Sequence, residues 1–349
     1  MKNTSYNPWD LVEYYKEPIS DLFKVEDCNE ISVNRFDEIF LKRHGKYERA
    51  DISFKSEEEV VSLISQIGNA LGQPVDDETH PILDARMPDG TRVCAVLYPV
   101  SSRGSSISFR LFPEEKITAQ FLMDKRSLTV DMMEYLKLAV ICRCNMLISG
   151  GTGSGKTTLL NVLCDFIPIE DRVLTVEDTR ELQLKVTNLV SLEAPLKRKK
   201  DDAQHVDMSL LIRTCLRKDP TRIIVGEIRD GQAATAYLHA INTGHSATST
   251  IHANSAKDAL NRMQILVAGE GSLPHDVVKA QVRSNIDIVL HAEETPNHGK
   301  RIVSISEVDE NGSLTELWQF NHKEGRHTKK CQTSSIYERL EKFGLDLPN

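Results

Sequence analysis

Residues 145–160 constrain the fold of this chain more than any other stretch. They read NMLISGGTGSGKTTLL, so an apolar run leads into a glycine-rich turn and a second apolar-periodic run follows. Strand, loop and helix in this order form the context in which the pattern GxxxxGK[ST] indicates a phosphate-binding loop, or P-loop. The alternative is a glycine-rich linker with accidental spacing, and the flanking strand and helix patterns argue against it.

The residue types in this loop have a chemical explanation. Glycine permits backbone angles closed to other residues, so successive N–H groups can turn toward a phosphate chain. The helix beginning near Lys156 directs its positive dipole end at the same anion. We expect Lys156 to reach the β- and γ-phosphates and the Thr157 hydroxyl to ligate Mg²⁺. The predicted triphosphate-binding residues are Gly150, Gly151, Thr152, Gly153, Ser154, Gly155, Lys156, Thr157 and Thr158.

Length and composition limit the class of protein. The 349 residues predict about two domains, and 40% hydrophobic with 27% charged residues is typical of a soluble globular protein. No apolar run approaches the roughly 20 residues of a membrane span, and the start has no signal-peptide pattern. We therefore expect a cytoplasmic protein whose membrane contact, if any, is peripheral.

Charge and cysteine spacing exclude further classes of site. The net charge of −8 weighs against a broad basic surface, so no specific nucleic-acid binding is expected. The basic residues 197–200 (KRKK) are the exception, and either a solvated loop or a phosphate or lipid contact would explain them. The seven cysteines include no CxxC pair, so they predict reduced thiols and no zinc site.

The periodicity changes along the chain and predicts two domains. Residues 1 to about 30 have helical spacing, and strand patterns and a second helix follow, so residues 1–115 predict a small α+β domain. Residues 116–126 are expected to be a linker. From about residue 127, strands alternate with helices, which indicates a parallel sheet covered on both faces up to residue 325. Residues 326–349 predict a tail with a short helix.

Three further apolar strands of the second domain end on polar residues that could act on a triphosphate. Ligands bind beyond the carboxyl ends of such strands, so these residues should lie near the P-loop. Glu227 is predicted to orient the attacking water, or else to pair with Arg229 in its own turn. Glu177 is predicted to lie among the ligands of the metal ion or its bound water, or else in an ordinary charged loop. His252 suits phosphate sensing or a hydrogen-bonded core position, with Asn254 as a possible helix cap.

Four segments together resemble the Walker A, Asp box, Walker B and His box of the secretion and pilus ATPases, which power type II and type IV secretion, type IV pili and conjugation. The amino-domain segment DARMPDGTRV and the end of the chain resemble the conjugative and tight-adherence pilus branch. The four segments are 150–158, 175–178 (TVED), 224–230 (IVGEIRD) and 243–255 (TGHSATSTIHANS).

The resemblance implies an α/β fold with a RecA-like P-loop NTPase carboxyl domain and a smaller α+β amino domain. It also implies a homo-hexameric ring with ATP and Mg²⁺ bound between the two domains, and partners among the inner-membrane components of a secretion or pilus machine. By position, Arg92 and Arg110, and less directly Arg103, correspond to the amino-domain arginines that complete the phosphate site in such enzymes.

Two departures from related enzymes matter. The acidic residue that holds Mg²⁺ in many P-loop enzymes is Gly226 here, as is usual in this family, which leaves Thr157, phosphates and water as ligands. The paired CxxC module of many type II secretion and pilus-extension motors is absent, and so is the sequence AIRNLIR of pilus retraction motors. Both absences favour the conjugative, effector-secretion or tight-adherence branch.

The leading hypothesis is a cytoplasmic, hexameric ATPase, peripheral at the inner membrane, that powers type IV secretion, conjugation or pilus assembly. An ATP-gated assembly scaffold with little turnover is one alternative. A RecA-like nucleic-acid motor is the other, and it would need an electropositive channel that the net charge of −8 disfavours.

Overall fold

The chain folds around two hydrogen-bonded sheets, one in each of two compact units, Met1–Glu115 and Lys116–Asn349. The computed structural model describes residues 7–43, 45–111, 116–194, 206–271, 274–309 and 312–345. The basic residues 197–200 lie outside these ranges, so their two interpretations stay open. None of the described helices is long and apolar enough to cross a membrane.

The first unit is a six-stranded antiparallel sheet with the order β3-β2-β1-β6-β5-β4. Its strands alternate between core and surface, and residues such as Ala85, Val93 and Phe109 pack with the apolar side of the second helix. Its elements are α1 (Pro8–Lys16), a 3₁₀ helix (Glu17–Lys24), β1 (Cys28–Arg35), β2 (Glu38–Arg43), β3 (Lys46–Arg49), α2 (Glu57–Ala70), β4 (Ile82–Arg86), β5 (Arg92–Val96) and β6 (Ser106–Arg110).

The predicted helix over residues 1 to about 30 was wrong in its extent. The α-helix ends at Lys16, a 3₁₀ helix continues to Lys24, and a strand begins at Cys28. Pro18 lies in the first turn of the 3₁₀ helix, and proline lacks the N–H that a continuing α-helix would use. Helical structure therefore extends from Pro8 to Lys24, but it changes from an α-helix to a 3₁₀ helix at the proline.

The second unit is built on a nine-stranded sheet with the order β15-β14-β13-β12-β7-β11-β10-β8-β9. The six strands from β12 to β9 run parallel, and the remaining pairings are antiparallel. Its elements are α3 (Ala119–Asp124), α4 (Val130–Ile141), β7 (Met146–Gly150), α5 (Lys156–Leu163), a 3₁₀ turn (Cys164–Phe166), β8 (Arg172–Glu177), β9 (Asn188–Glu193), α6 (Met208–Cys215), β10 (Arg222–Ile228), α7 (Gly231–Asn242), β11 (Ser246–His252), α8 (Ala256–Gly269), α9 (His275–Asn285), β12 (Ile288–Thr295), β13 (Gly299–Val308), β14 (Leu314–Asn321), β15 (Arg326–Lys329) and α10 (Ile336–Lys342).

Helices cover both faces of the large sheet. Met146 and Ile148 of β7 pack into one core with α4, α5 and α10, whereas Leu147 packs into the other core with α6 to α9. This division follows from the two-residue period of a strand and explains why the parallel strands are continuously apolar. Residues 116–126, expected to be a linker, contain α3, and β15 of the expected tail pairs with β14 as an edge strand.

Candidate nucleotide-binding site

The P-loop connects β7 to α5 as residues 151–155. Gly155 precedes the helix with a φ of +95°, which favours glycine. Gly150 ends β7 where a Cβ atom would lie 2.3 Å from the Ala292 carbonyl oxygen and 2.5 Å from Ser154 Oγ. A side chain at Gly150 would therefore collide with β12 and with the loop itself.

The side chain of Lys156 is folded against this loop. Its Nζ donates to the carbonyl oxygens of Gly150 at 3.0 Å and Gly151 at 2.9 Å, and it lies 3.9 Å from Glu227 Oε1. The residue is 8% exposed, and burial lowers the pKa of Lys156. The ammonium is thus held where the P-loop strand and the strand carrying Glu227 both end.

The order of the strands brings the predicted residues to one edge of the sheet. The strands β8, β10, β11 and β7 are successive neighbours and parallel, so their carboxyl ends coincide. These ends carry Glu177, Glu227, His252 and Gly150, and His252 pairs directly with Gly150 in the register. The expected convergence of four strand ends is present in the structure.

A β-bulge sets the position of Glu227. Val225 pairs with Ser249 and Ile228 pairs with Ile251, so two residues of β10 lie opposite one residue of β11. The hydroxyl of Thr250 donates to the Gly226 carbonyl oxygen at 2.7 Å within this bulge. A bulge redirects side chains at a strand end, and here it places Glu227 beside Lys156.

The carboxylate of Glu227 has cations on two sides. Oε1 faces Lys156, and Oε2 accepts from Arg229 Nε at 2.8 Å and lies 2.7 Å from its Nη2. Arg229 also contacts Asp178 Oδ2 at 2.9 Å. The ion pair named as the alternative for Glu227 is therefore formed, and it coexists with the position beside the P-loop lysine.

Glu177 is a buried carboxylate, only 2% exposed. Its Oε1 accepts from the N–H groups of Glu181 at 2.9 Å and Leu182 at 3.0 Å. Burial raises the pKa of Glu177 to about 7, and the nearby Glu181 and Glu193 act in the same direction while the two N–H donors oppose the rise. The pKa of Glu177 thus lies near neutral pH. The residue is buried at the end of β8 and does not belong to an ordinary charged loop.

Glu177 also explains the glycine that replaces the usual magnesium-binding acid. A Cβ atom at position 226 would lie 3.1 Å from Glu177 Cγ. The space that a Walker B aspartate would occupy is therefore taken by the side chain of the neighbouring strand.

The oxygen donors at this edge fit Mg²⁺ bound together with phosphate. Among the described residues, no three His, Cys, Asp or Glu side chains form a group that could hold a metal ion by themselves. Mg²⁺ is commonly held by one or two protein oxygens, substrate phosphates and water. The Thr157 hydroxyl, in the first turn of α5, is a donor of that kind.

The structure decides between the two interpretations of the His252 position and corrects the predicted cap of α8. His252 has an exposed side chain, which excludes the core position named as its alternative. Asn254 was wrongly assigned as the cap of α8, because Ser255 is the N-cap and its hydroxyl accepts from the N–H of Asp258 at 3.0 Å. Ser255 supplies the hydroxyl that favours this position, so the signal was one residue further along.

The predicted arginines lie in the first unit. Arg92 of β5 pairs with Arg110 of β6 and with Arg86 of β4, and cross-strand partners share one face of a sheet. Arg103 instead contacts Glu38 Oε2 at 3.1 Å. The participation of Arg92 and Arg110 in a phosphate site stays a prediction.

Sequence reasoning missed a buried polar contact behind the P-loop strand. His291 of β12 is 3% exposed, and its Nδ1 lies 2.8 Å from the Ser149 hydroxyl while its Nε2 lies 3.2 Å from Glu293 Oε1. Burial lowers the pKa of His291. A histidine within the apolar run of β12 was the available signal, and it becomes informative once β12 is known to adjoin β7.

Comparison with known proteins agrees with this geometry. The family described as Type II/IV secretion system protein matches residues 14–340. The chain belongs to this family. Membership implies a nucleotide-binding ATPase, and it confirms the family and the two-domain fold class predicted from the four motif segments.

Individual relatives place the chain within the Type II/IV secretion family. A probable conjugal transfer protein TrbB of Sinorhizobium fredii (strain NBRC 101917 / NGR234) is 33% identical over 315 residues, which cover 86% of this chain and 90% of that protein. The type IV secretion system protein VirB11 of Brucella suis biovar 1 (strain 1330) is 28% identical, covering 82% and 87%. The Legionella pneumophila ATPase DotB has the same fold, with a TM-score of 0.62 and 20% identity over 89% of this chain and 84% of that one.

Proposed function

We propose that this protein is a Mg²⁺-dependent ATPase that acts as a cytoplasmic motor for a type IV secretion, conjugation or pilus assembly machine. The observation that carries the proposal is the approach of Lys156 Nζ to Glu227 Oε1, 3.9 Å apart at the end of the P-loop strand. One group suited to bind the γ-phosphate and one suited to orient water thus lie side by side.

We assign each group at this edge of the sheet a separate role in ATP hydrolysis. The N–H groups of the loop and the amino end of α5 bind the phosphates, and Lys156 exchanges its two carbonyl contacts for phosphate oxygens. Glu227 orients the attacking water, with Arg229 fixing its second oxygen. Mg²⁺, when bound by Thr157 and phosphates, neutralises charge on the phosphate oxygens. Glu177 accepts hydrogen bonds from water beside the phosphates, and His252 contacts the γ-phosphate.

The substitution Glu227→Gln tests this assignment. The amide keeps the size of the side chain and its contact with Arg229 but cannot polarise water as a carboxylate does. We expect steady-state phosphate release to fall by about a hundredfold or more while binding of a fluorescent ATP analogue stays within about threefold. The matched control is Glu316→Gln, which neutralises an exposed carboxylate of β14 in the same sheet.

The two assays together separate the possible outcomes. Normal turnover in Glu227→Gln would refute the role of Glu227. Tight ATP binding by the unsubstituted protein without phosphate release, with and without membranes, would favour an ATP-gated scaffold instead. Salt-sensitive DNA binding would favour a nucleic-acid motor.

The assembly and partners follow from the same proposal. The names of the matched TrbB and VirB11 proteins refer to conjugal transfer and type IV secretion. We infer a homo-hexamer that docks on inner-membrane components of such a machine, with Arg92 and Arg110 completing the phosphate site. Domain movement driven by ATP binding and hydrolysis would then perform the mechanical work.

A further inference from the structure

Lys116, the first residue of the second unit, has a partly enclosed ammonium with two protein acceptors. Its Nζ donates to Asp165 Oδ1 at 2.8 Å and to the carbonyl oxygen of Gln183. The side chains of Lys116 and Asp165 are only 13% and 18% exposed. A charge-assisted contact shielded in this way is stronger and geometrically more defined than one on the open surface.

Gln183 is held from two directions by these contacts. Its carbonyl accepts from Lys116, and its N–H donates to Asn161 Oδ1 of α5 at 2.9 Å. Asp165 lies in the 3₁₀ turn directly after α5. The loop between β8 and β9 is therefore fastened both to the P-loop helix and to the start of the second unit.

The same loop holds the Glu177 carboxylate. The N–H groups of Glu181 and Leu182 donate to Glu177 Oε1, and Leu182 immediately precedes Gln183. Each peptide unit is planar and is joined to the next at a single Cα atom, so a displacement of Gln183 is transmitted through one intervening unit to the one that carries the Leu182 N–H. The contacts thus run from Lys116 through the loop to a carboxylate at the nucleotide edge.

We propose that Lys116 is a positioning residue for ATP hydrolysis, which fixes the loop whose N–H groups orient Glu177. The inference rests on the proposed function, since Glu177 matters for turnover only if the site hydrolyses ATP. The lysine therefore links the start of the second unit to the Glu177 carboxylate through the loop between β8 and β9.

The test compares Lys116→Met with Lys185→Met. The first substitution keeps an unbranched apolar stem and removes the ammonium. Lys185 also approaches Asp165 Oδ1, at 3.6 Å, but its side chain is 74% exposed, so it is a matched control for the charge. We expect kcat to fall about ten- to a hundredfold in Lys116→Met, with KM for ATP changed less than about threefold, and no change in Lys185→Met.

The pH profile distinguishes positioning from general destabilisation. The N–H donors lower the pKa of Glu177, so their loss should move the acid limb of kcat to higher pH in Lys116→Met. Lys116→Arg keeps a cation with several donors and should recover most of kcat and the original limb. Thermal unfolding and binding of the fluorescent ATP analogue verify that each variant is folded.

A second measurement does not depend on turnover. The pH at which Glu177 titrates can be taken from the difference in unfolding free energy between a protein and its Glu177→Gln counterpart, and it should rise when Lys116 is methionine. An unchanged titration midpoint, or equal loss of kcat in the two methionine variants, would overturn the positioning role. Absence of phosphate release from the unsubstituted protein would instead overturn the proposed function and leave the titration to decide the role of Lys116.

Discussion

Position 226 requires glycine because the side chain of Glu177, on the neighbouring strand β8, occupies the space beside it. The 3.1 Å between a hypothetical Cβ and Glu177 Cγ is tighter than an ordinary contact. We expect Gly226→Ala to displace Glu177, lower kcat about tenfold or more and destabilise the protein by about 1–3 kcal/mol. Steady-state kinetics and urea unfolding measure the two effects.

Gly269→Ala is the control for this substitution. Gly269 ends α8 with no atom near its Cβ direction and no positive φ, so alanine should be neutral or stabilise the fold by up to about 1 kcal/mol. If Gly226→Ala behaves like Gly269→Ala in both assays, the packing of Glu177 over position 226 does not control the site.

The raised pKa of Glu177 predicts a pH-dependent stability. Its value changes from 4.5 to about 7 on folding because burial disfavours the charged form. The associated stability is complete below about pH 4.5 and is lost as the pH rises through about 7. We expect wild type to lose about 3 kcal/mol relative to Glu177→Gln between about pH 4.5 and pH 9, measured by urea unfolding across that range. A constant difference would contradict the buried position.

Individual residues differ in how far the sequence predicted them. The P-loop residues and Glu227 followed from a motif with a strand before it and a helix after it. The burial of Glu177 and the reason for Gly226 did not, because both depend on which strand is the neighbour of β10. Lys116 had no signal at all, since a lysine becomes informative only when its two acceptors are known.

At the scale of elements, the alternation of strands and helices correctly predicted the parallel strands from β12 to β9, but not the antiparallel strands β13 to β15 that extend the same sheet. It could not predict the order of the strands, so the contact of β12 with the P-loop strand was not foreseen. It also could not predict the bulge in β10, because a run such as RIIVGEI does not reveal where pairing skips a residue. Register is set by partners that are distant in the sequence.

The helix α10 is attached to the opposite end of the sheet from the P-loop. Arg339 contacts Asp287, which precedes β12 and also accepts from the N–H of Asn145 at 2.7 Å. Ile336 and Leu340 are buried in the core that includes α4. We expect Arg339→Met to destabilise the protein by about 2 kcal/mol, because Asp287 keeps its charge without its partner and the pair is only partly shielded.

Urea unfolding compares this variant with Lys342→Met, which removes an exposed cation from the same helix and should be neutral. ATP turnover should change little in either variant, since both residues are remote from the P-loop. Equal stability of the two variants would show that the contact of Arg339 with Asp287 does not hold α10.

At the scale of the whole molecule, the chain has two units, each with its own sheet; the first unit has one core and the second has a core on each face of its sheet. The proposed site has its P-loop and carboxylates in the second unit and its predicted arginines in the first. We expect native mass spectrometry or light scattering with ATP and Mg²⁺ to detect a species of six times the chain mass, favoured by higher protein concentration. A monomer at all concentrations and with nucleotide present would contradict the ring.

The bulge in β10 has a consequence for how this site can vary in evolution. The direction of Glu227 depends on the number of residues between Val225 and Ile228, two opposite a single residue of β11. Removing either one would restore a continuous ladder and leave Thr250 facing a different neighbour. Single-residue deletions at 226 or 227 should therefore lower ATP turnover as much as substitution of the carboxylate itself. The site depends on the number of residues in this segment as well as on their identities.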